Sequence, residues 1–476
     1  VVHNSQNDSA SGQSPNTLSQ TSSSNEPIAA IATAMGKGGV GIVRISGPSL
    51  EPFIETLLGK KLVPRYTHYM PFPGPDGSVL DYGIAIYFKA PASYTGEDVL
   101  ELQGHGGPAV LRLLLTHCLS IGKPFGLRLA NAGEFTMRAF MNGKIDLAQA
   151  EAIADLIEAN STAAAKAAVA SLSGRFSQEI SALIESIVEL RILVEATLDF
   201  PEEEIEFIEK YQVRSKLENI RNELSRILGI AKQSRYLRDG LKVVLAGEPN
   251  VGKSSLMNAL FDQDIAIVTD IAGTTRDSIR ETLNLDGVPV TVTDTAGLRD
   301  TVDPIEKIGI ERSWSEIKTA DVILHVMDSR NPTRVLDPDM HRDVLKGKIV
   351  LDVYNKIDLS DSVFSTEACP PDIKQVFVSA KTRQGLSTLR QAILDASGRT
   401  LGESSPWLGR ERHIQAMLMA QEHLDLAQEH AAYDNTVLDL LAEELRLAHD
   451  ALGEITGRMS SDDLLGRIFS TFCIGK

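Results

Sequence analysis

Apolar residues return at every second position in some stretches of this chain and at every third or fourth in others, and the two rhythms divide it. Ile42-Val43-Arg44-Ile45-Ser46 alternates as a half-buried strand does. Ile84-Ala85-Ile86-Tyr87-Phe88 and Val99-Leu100-Glu101-Leu102 read as further strands, and Val110–Leu115 as a helix. Gly36-Lys37-Gly38-Gly39 and Gly104-His105-Gly106-Gly107 read as turns between them. Residues 28–146 therefore predict a compact α+β domain.

From Leu147 the rhythm turns helical. Ile180, Leu183, Ile187, Leu190 and Val194 fall on one face, as do Leu217, Ile220, Leu224, Ile227 and Ala231. Breaks at Gly174 and Pro201 divide these helices. Strands and helices then alternate over residues 239–400, with apolar runs at Val243–Ala246, Thr282–Leu285, Val290–Thr293, Val322–Met327, Ile349–Val353 and Val376–Val378. That order predicts a doubly wound α/β sheet with ligands at the carboxyl ends of its strands. Beyond Pro406 a helical stripe returns through Leu438, Leu441, Leu445, Ala448, Leu452 and Ile455. It either completes one bundle with residues 147–238, making the α/β domain an insertion, or forms a separate C-terminal bundle. The fold class is multidomain, α/β and α+β.

Composition changes this picture little. The chain has 476 residues, 43% hydrophobic and 23% charged, an ordinary globular balance. No apolar run approaches the ~18 residues of a membrane span, so no membrane partner is expected. Residues 1–27 are rich in Ser, Asn and Gln and lack the basic and apolar regions of a signal peptide; they read as a disordered tail. Cys118, Cys369 and Cys473 are too scattered for a disulfide framework or a zinc site, which suits a cytoplasmic protein. The net charge of −17 excludes broad non-specific binding of nucleic acid, which needs a basic footprint.

The chemistry is concentrated around Gly247-Glu248-Pro249-Asn250-Val251-Gly252-Lys253-Ser254-Ser255, of the form G-x-x-x-x-G-K-S. It follows an apolar run and precedes a helical pattern, the context of a phosphate-binding loop. Glycines let successive N–H groups face an anion, and the following helix adds its positive end. Lys253 would reach the β and γ phosphates and Ser254 would hold Mg²⁺. Asp294-Thr295-Ala296-Gly297 ends another strand; its aspartate can orient Mg²⁺ through water, and the Gly297 N–H can sense a γ-phosphate. Thr274 and Thr275, in Gly273-Thr274-Thr275-Arg276-Asp277, offer a hydroxyl to the Mg²⁺ shell, assigned to Thr275. Asn355-Lys356-Ile357-Asp358 ends a third strand, and the Asp358 carboxylate can accept from guanine N1–H and the 2-amino group together. Adenine has neither donor. Ser379-Ala380-Lys381 would support the base. Each tetrapeptide alone is weak; in this order, each at a strand end, they predict a site for GTP. Leu298 stands where many GTPases carry a glutamine that orients water. Glu306 is the candidate base or water orienter in its place.

With these motifs in view, the chain after its tail resembles the MnmE (TrmE) family of tRNA-modifying GTPases. The marks are Gly39-Val40-Gly41-Ile42-Val43-Arg44-Ile45-Ser46-Gly47, Tyr94–Gly107, the nucleotide motifs, and the terminal Phe472-Cys473-Ile474-Gly475-Lys476. The resemblance implies a folate-binding, dimerising N-terminal domain (28–146), a helical domain in two parts (147–238 and 401–476), and an inserted GTPase domain (239–400). It implies 5-formyl- or methylenetetrahydrofolate as a one-carbon donor, at positions matching Arg44, Glu101 and Lys144 with Lys476 nearby. It implies K⁺ beside the phosphates, held by Asn250, main-chain groups of Thr269 and Ile271, and Thr274, within Thr269-Asp270-Ile271-Ala272-Gly273-Thr274. Glu306 matches the family's water-orienting glutamate, and Cys473 becomes a candidate catalytic thiol. The implied partners are a second copy, tRNA, and the FAD-dependent MnmG (GidA) in a heterotetramer. The implied product is a carboxymethylaminomethyl or aminomethyl group on C5 of the wobble uridine. The competing class is a ribosome-assembly GTPase switch, which would ordinarily carry a basic RNA-binding domain; here the C-terminal region is acidic and helical.

Overall fold

The computed structural model describes residues 26–199, 212–261, 280–285, 287–294, 313–333, 335–336, 342–345, 348–360, 375–396, 406–433, 437–457, 462–470, 472–473 and 475. They divide into two compact units, one running to Lys144 and taking in Leu465 onward, the other Ile145–Leu464.

In the first unit, alternation produces strands β1 (Ile28–Ile31), β2 (Gly38–Gly47), β3 (Thr67–Pro73), β4 (Val79–Phe88), β5 (Asp98–Gly106) and β6 (Arg128–Leu129). They form one sheet in the order β3-β4-β5-β2-β1-β6. Inward residues such as Val43, Ile45, Leu100 and Leu102 pack against Phe53, Leu57, Leu111 and Leu114 of helices Glu51–Leu58 and Pro108–Gly122. The expected turn at Gly38-Gly39 is instead the start of β2, because Gly38 pairs with Gly106 before a bulge and Gly41 with Gly104. Leu465 onward groups with this N-terminal unit. The reason is aromatic: Phe469 lies 6.3 Å from Phe140 and 5.6 Å from Phe472, ring centre to ring centre.

In the second unit the predicted stripes meet in one core. Ile180, Ile187, Leu217, Leu224 and Ile227 pack with Leu441, Leu445, Leu452 and Ile455, all buried. Helices Arg175–Asp199 and Val213–Asp239 thus share a bundle with helices Glu411–His430 and Leu438–Thr456. Of the alternatives left open by the sequence, the α/β domain is an insertion into one bundle. A capping box between Asp146 and Gln149 starts helix Leu147–Glu158.

The inserted domain is built on β7 (Leu241–Ala246), β8 (Arg280–Leu285), β9 (Val288–Asp294), β10 (Val322–Asp328), β11 (Ile349–Asn355) and β12 (Gln375–Phe377). Their order is β12-β11-β10-β7-β9-β8, parallel except for the β8–β9 hairpin. The chain leaves β7 to one side for β8 and β9, then crosses to β10 on the other. The carboxyl end of β7 is therefore the switch point of the sheet, where ligands bind.

Candidate nucleotide site

The phosphate loop leaves β7 at that switch point. Gly247 approaches β10 so closely that an added Cβ would strike the carbonyl oxygen of Val326. At Gly252, with φ +95°, a Cβ would lie 2.5 Å from Asn355 Nδ2. Asn250 takes a left-handed φ of +65° without being glycine, a backbone cost of ~1 kcal/mol or more that other contacts must offset.

Lys253 opens helix Lys253–Phe261 and is 8% exposed. Its ammonium donates to the carbonyl oxygens of Gly247 (3.1 Å) and Glu248 (2.9 Å). Burial lowers its pKa, against the attraction of Asp294. Ser254 Oγ donates to Asp294 Oδ2 at 2.5 Å. Asp294 Oδ1 is buried and meets no hydrogen-bond partner among the described residues. A hydroxyl beside a carboxylate with an orphaned oxygen is the donor set of a hard, oxygen-ligated dication, so Mg²⁺ fits here.

The base-recognition motif is bound into the same edge. Asn355, 1% exposed, donates from Nδ2 to Val251 O (3.0 Å) and accepts at Oδ1 from Ala380 N–H (3.1 Å). One side chain therefore ties the end of β11 to the phosphate loop and to the Ser379-Ala380-Lys381 turn. Asp358 sits in the short helix Ile357–Leu359, exposed, with Oδ1 accepting from Ser379 Oγ at 2.6 Å. Ser379 Oγ also accepts from Thr382 N–H. The carboxylate is thus held at its rim while facing solvent, as a guanine edge requires. Ser255 and Lys381 are exposed nearby, and Val251 is buried. Thr269–Thr275, Thr295, Ala296, Gly297, Leu298, Glu306 and Lys476 lie outside the described residues.

Two residues were missed by the sequence reading. Asp328 ends β10, and its carboxylate accepts from Lys356 Nζ at 3.0 Å. Arg330 closes on the same carboxylate. The signal was available: like Asp294 and Asn355, Asp328 follows an apolar strand at the ligand edge of the sheet.

The N-terminal unit brings Arg44 and Glu101 together. They face each other across β2 and β5, and Arg44 Nε donates to Glu101 Oε1 at 2.9 Å. Gln103 Nε2 holds Oε2 at 3.1 Å. The Arg44 guanidinium lies 5.7 Å from the Tyr94 ring centre and 5.8 Å from that of Phe135. A paired acid and base flanked by aromatic rings fits a flat heteroaromatic ligand. Lys144, exposed, donates to Pro91 O at 3.0 Å. Cys473 is exposed, and its carbonyl accepts from Gly133 N–H, two residues before Phe135. Cys118, by contrast, lies in the core, where burial pushes its thiol up to about 12. The sequence reading also missed Arg138, whose buried guanidinium reaches Glu97 (3.0 Å) and Glu134 (2.9 Å) beneath this region.

A phosphate loop, a serine–aspartate pair for a dication and an aspartate posed for a guanine edge define a P-loop guanine-nucleotide-binding protein. Residues 147–473 match the family model described as the MnmE helical domain, and residues 27–144 that described as the GTP-binding protein TrmE N-terminus. The tRNA modification GTPase MnmE of Bordetella parapertussis is 58% identical over 450 residues, 94% of this chain and 99% of that one. The protein of the same name from Cupriavidus necator is 51% identical over 469 residues, again 94% and 99%. Among solved structures, the G domain of the T. maritima FeoB iron transporter is 26% identical and covers 33% of this chain and 98% of that one, with a TM-score of 0.24. The chain belongs to the MnmE family of tRNA modification GTPases.

Proposed function

We propose that the chain hydrolyses GTP as one component of a complex that adds a carboxymethylaminomethyl or aminomethyl group to C5 of the wobble uridine of certain tRNAs. The observation that carries the GTPase reading is the Ser254–Asp294 pair with its orphaned, buried Oδ1. Bound there, Mg²⁺ supplies Lewis-acid charge to the phosphate oxygens. Lys253 exchanges its two carbonyl partners for those oxygens and stabilises charge that grows in the transition state. Asp358 selects guanine by accepting from two donors that adenine lacks. Glu306 orients the attacking water in the place of the glutamine that Leu298 replaces. Asn250 is exposed at the loop tip with its own carbonyl engaged by Lys356, which leaves the side-chain oxygen for K⁺. Thr269, Ile271 and Thr274 complete that site, and closing them over it pairs two GTPase domains.

Arg44 and Glu101, with Lys144 and Lys476, hold a tetrahydrofolate. When bound, that folate supplies the one-carbon unit. Cys473 serves the same chemistry from the C-terminal tag. The partners are a second copy of the chain, the FAD-dependent MnmG, and tRNA, in the cytoplasm. Family membership supports this part of the reading, as does the acid–base pair between two aromatic rings.

Two experiments test it. Asp358→Asn should lose GTP binding and gain binding of xanthosine triphosphate, whose 2-oxo group matches an amide donor; unchanged GTP affinity removes the guanine assignment. Bacterial cells lacking their own copy of the family protein, supplied with this gene, should regain C5-aminomethyl-type uridine in tRNA digests. Absence of that nucleoside, with the protein expressed and folded, overturns the tRNA role.

A further inference from the structure

Lys356 is held in part by a carboxylate that none of the nucleotide motifs contains. It follows Asn355 at a left-handed φ of +66°. Its ammonium donates to Asn250 O at 2.6 Å and to Asp328 Oδ2 at 3.0 Å. Asp328 lies directly across the β10–β11 register from Asn355, so its carboxylate is placed by the sheet rather than by a loop. Arg330 then fixes the carboxylate from the other side. Its Nε donates to Oδ1 at 3.0 Å, its Nη2 to Oδ2 at 2.7 Å, and its backbone N–H to Oδ1 at 3.1 Å. The Asp328 side chain is 17% exposed, whereas that of Arg330 is 49% exposed. A forked guanidinium on a partly buried carboxylate is among the stronger side-chain pairings. It leaves Oδ2 shared between a rigid guanidinium and a flexible ammonium.

The consequence runs to the phosphate loop. Asn250 is the non-glycine residue of that loop in the left-handed region, and its carbonyl is the oxygen that Lys356 engages. An ammonium without a fixed counter-charge has several rotamers to visit and water to satisfy it. With Asp328 in place, the ammonium is directed onto one oxygen. The base-reading Asp358 is two residues on in the chain.

We propose that Asp328 is a positioning residue for the guanine nucleotide: through Lys356 it braces the Asn250 peptide of the phosphate loop, and Arg330 orients it. It sets affinity for a guanosine di- or triphosphate without touching the nucleotide. This rests on the GTP reading above.

The test uses the full chain and a fluorescent GDP. Asp328→Asn should weaken GDP binding about 10-fold, the size expected for losing one hydrogen bond between charged groups. KM for GTP should rise by a similar factor, with a smaller fall in kcat. Arg330→Ala, changed from the surface, should weaken binding by about 3-fold, and Asp328→Glu should recover part of the loss. In a Lys356→Met background, Asp328→Asn should add little, because both substitutions remove one coupled unit. Wild-type affinity in Asp328→Asn, or losses that multiply with Lys356→Met, overturns the proposal. If Asp328→Asn does not fold, unchanged affinity in Arg330→Ala overturns it instead. Failure of the underlying reading looks different: the wild-type chain itself would not bind GDP.

Discussion

In the second unit, two clusters of buried charge among the described residues are built on opposite rules. In the helical part, Glu151 and Asp155 are 2% and 5% exposed. Each is matched. Glu151 accepts from Arg412 Nη2 and His413 Nε2, both at 2.8 Å, and Asp155 from Arg238 (2.7 Å) and Arg410 (2.6 Å). In the nucleotide site, Lys253 is bonded to main-chain carbonyls and Asp294 keeps an oxygen with no partner among the described residues. A buried charge that is fully paired locks one arrangement of the chain. A buried charge left partly unpaired is a debt that a ligand settles. The first cluster joins helix Leu147–Glu158, the end of helix Val213–Asp239 that leads into β7, and the segment at Arg410 by which the chain re-enters the bundle. It clamps the roots of the insertion, while the second lies at the switch point of the sheet.

The largest effect should come from breaking the second cluster. Lys253→Ala should lower GTP hydrolysis by ~10²–10³-fold, as for loss of one preorganised transition-state donor. Unfolding by denaturant should be unchanged or slightly harder, since a poorly paired buried ammonium has gone. A protein that unfolds instead would place Lys253 with the structural charges and end the contrast. Glu306→Ala should cost ~10²-fold in hydrolysis with GTP affinity nearly kept; wild-type turnover removes Glu306 from the site. The first cluster should respond the other way. Glu151→Ala leaves the guanidiniums of Arg410 and Arg412 short of a counter-charge and should cost ~3–5 kcal/mol of stability. Equal stability of the variant, read from urea melts, would mean that water replaces the carboxylate and that the cluster does not clamp.

How much of this could be read from the sequence depends on the distance over which residues cooperate. The stripe Leu217, Ile220, Leu224, Ile227 is legible because helical period alone brings those side chains together, and all are buried. Gly252, Lys253 and Ser254 are legible because a phosphate loop is one continuous segment. Glu151 and His413 are 262 residues apart and were not legible, since no local pattern distinguishes a paired glutamate from a solvated one on the same helix. Asp328 was missed for a related reason. Its partner Lys356 immediately follows the neighbouring strand, and only the β10–β11 register brings them close. The C-terminal tag was set beside the N-terminal folate pocket only through the family resemblance, because contacts such as that of Phe469 with Phe140, 329 residues apart, leave no local pattern.

Potassium sharpens the comparison at a smaller scale. If Asn250 offers its side-chain oxygen to a monovalent cation, hydrolysis should be several-fold or more faster in K⁺ than in Na⁺ at equal ionic strength, as expected when a cation neutralises transition-state charge. Asn250→Ala should erase the difference. Equal wild-type rates in the two salts, with Mg²⁺ saturating, would remove K⁺ from the site.

The smallest effect is a pH dependence carried by the matched cluster. Burial, opposed by Glu151, keeps His413 below the usual imidazole range, and Arg412 and Arg410 push the same way. The ring accepts from Arg410 N–H at Nδ1, so Nε2 carries the proton that faces Glu151. Burial works against ionised Glu151, but His413, Arg412 and Arg410 together outweigh it and hold its carboxyl low. Both folded pKa values are therefore depressed. A depressed value means that the unfolded chain binds more protons, so the stabilisation is fully present above the unfolded pKa and lost as pH falls towards the folded one. For His413 that loss begins near pH ~6.5 and for Glu151 near ~4.3, the unperturbed values. Each group adds a slope of at most about 1.4 kcal/mol per pH unit. Urea melts between pH 7.5 and 5 should show His413→Gln with a shallower loss of stability than the wild type. Glu151→Gln should differ from the wild type in slope chiefly below about pH 5. A slope for His413→Gln equal to that of the wild type would mean that His413 takes up a proton as readily in the fold as outside it. The cluster would then hold a further positive charge among three guanidiniums, and the contrast with the nucleotide site would lose its first half.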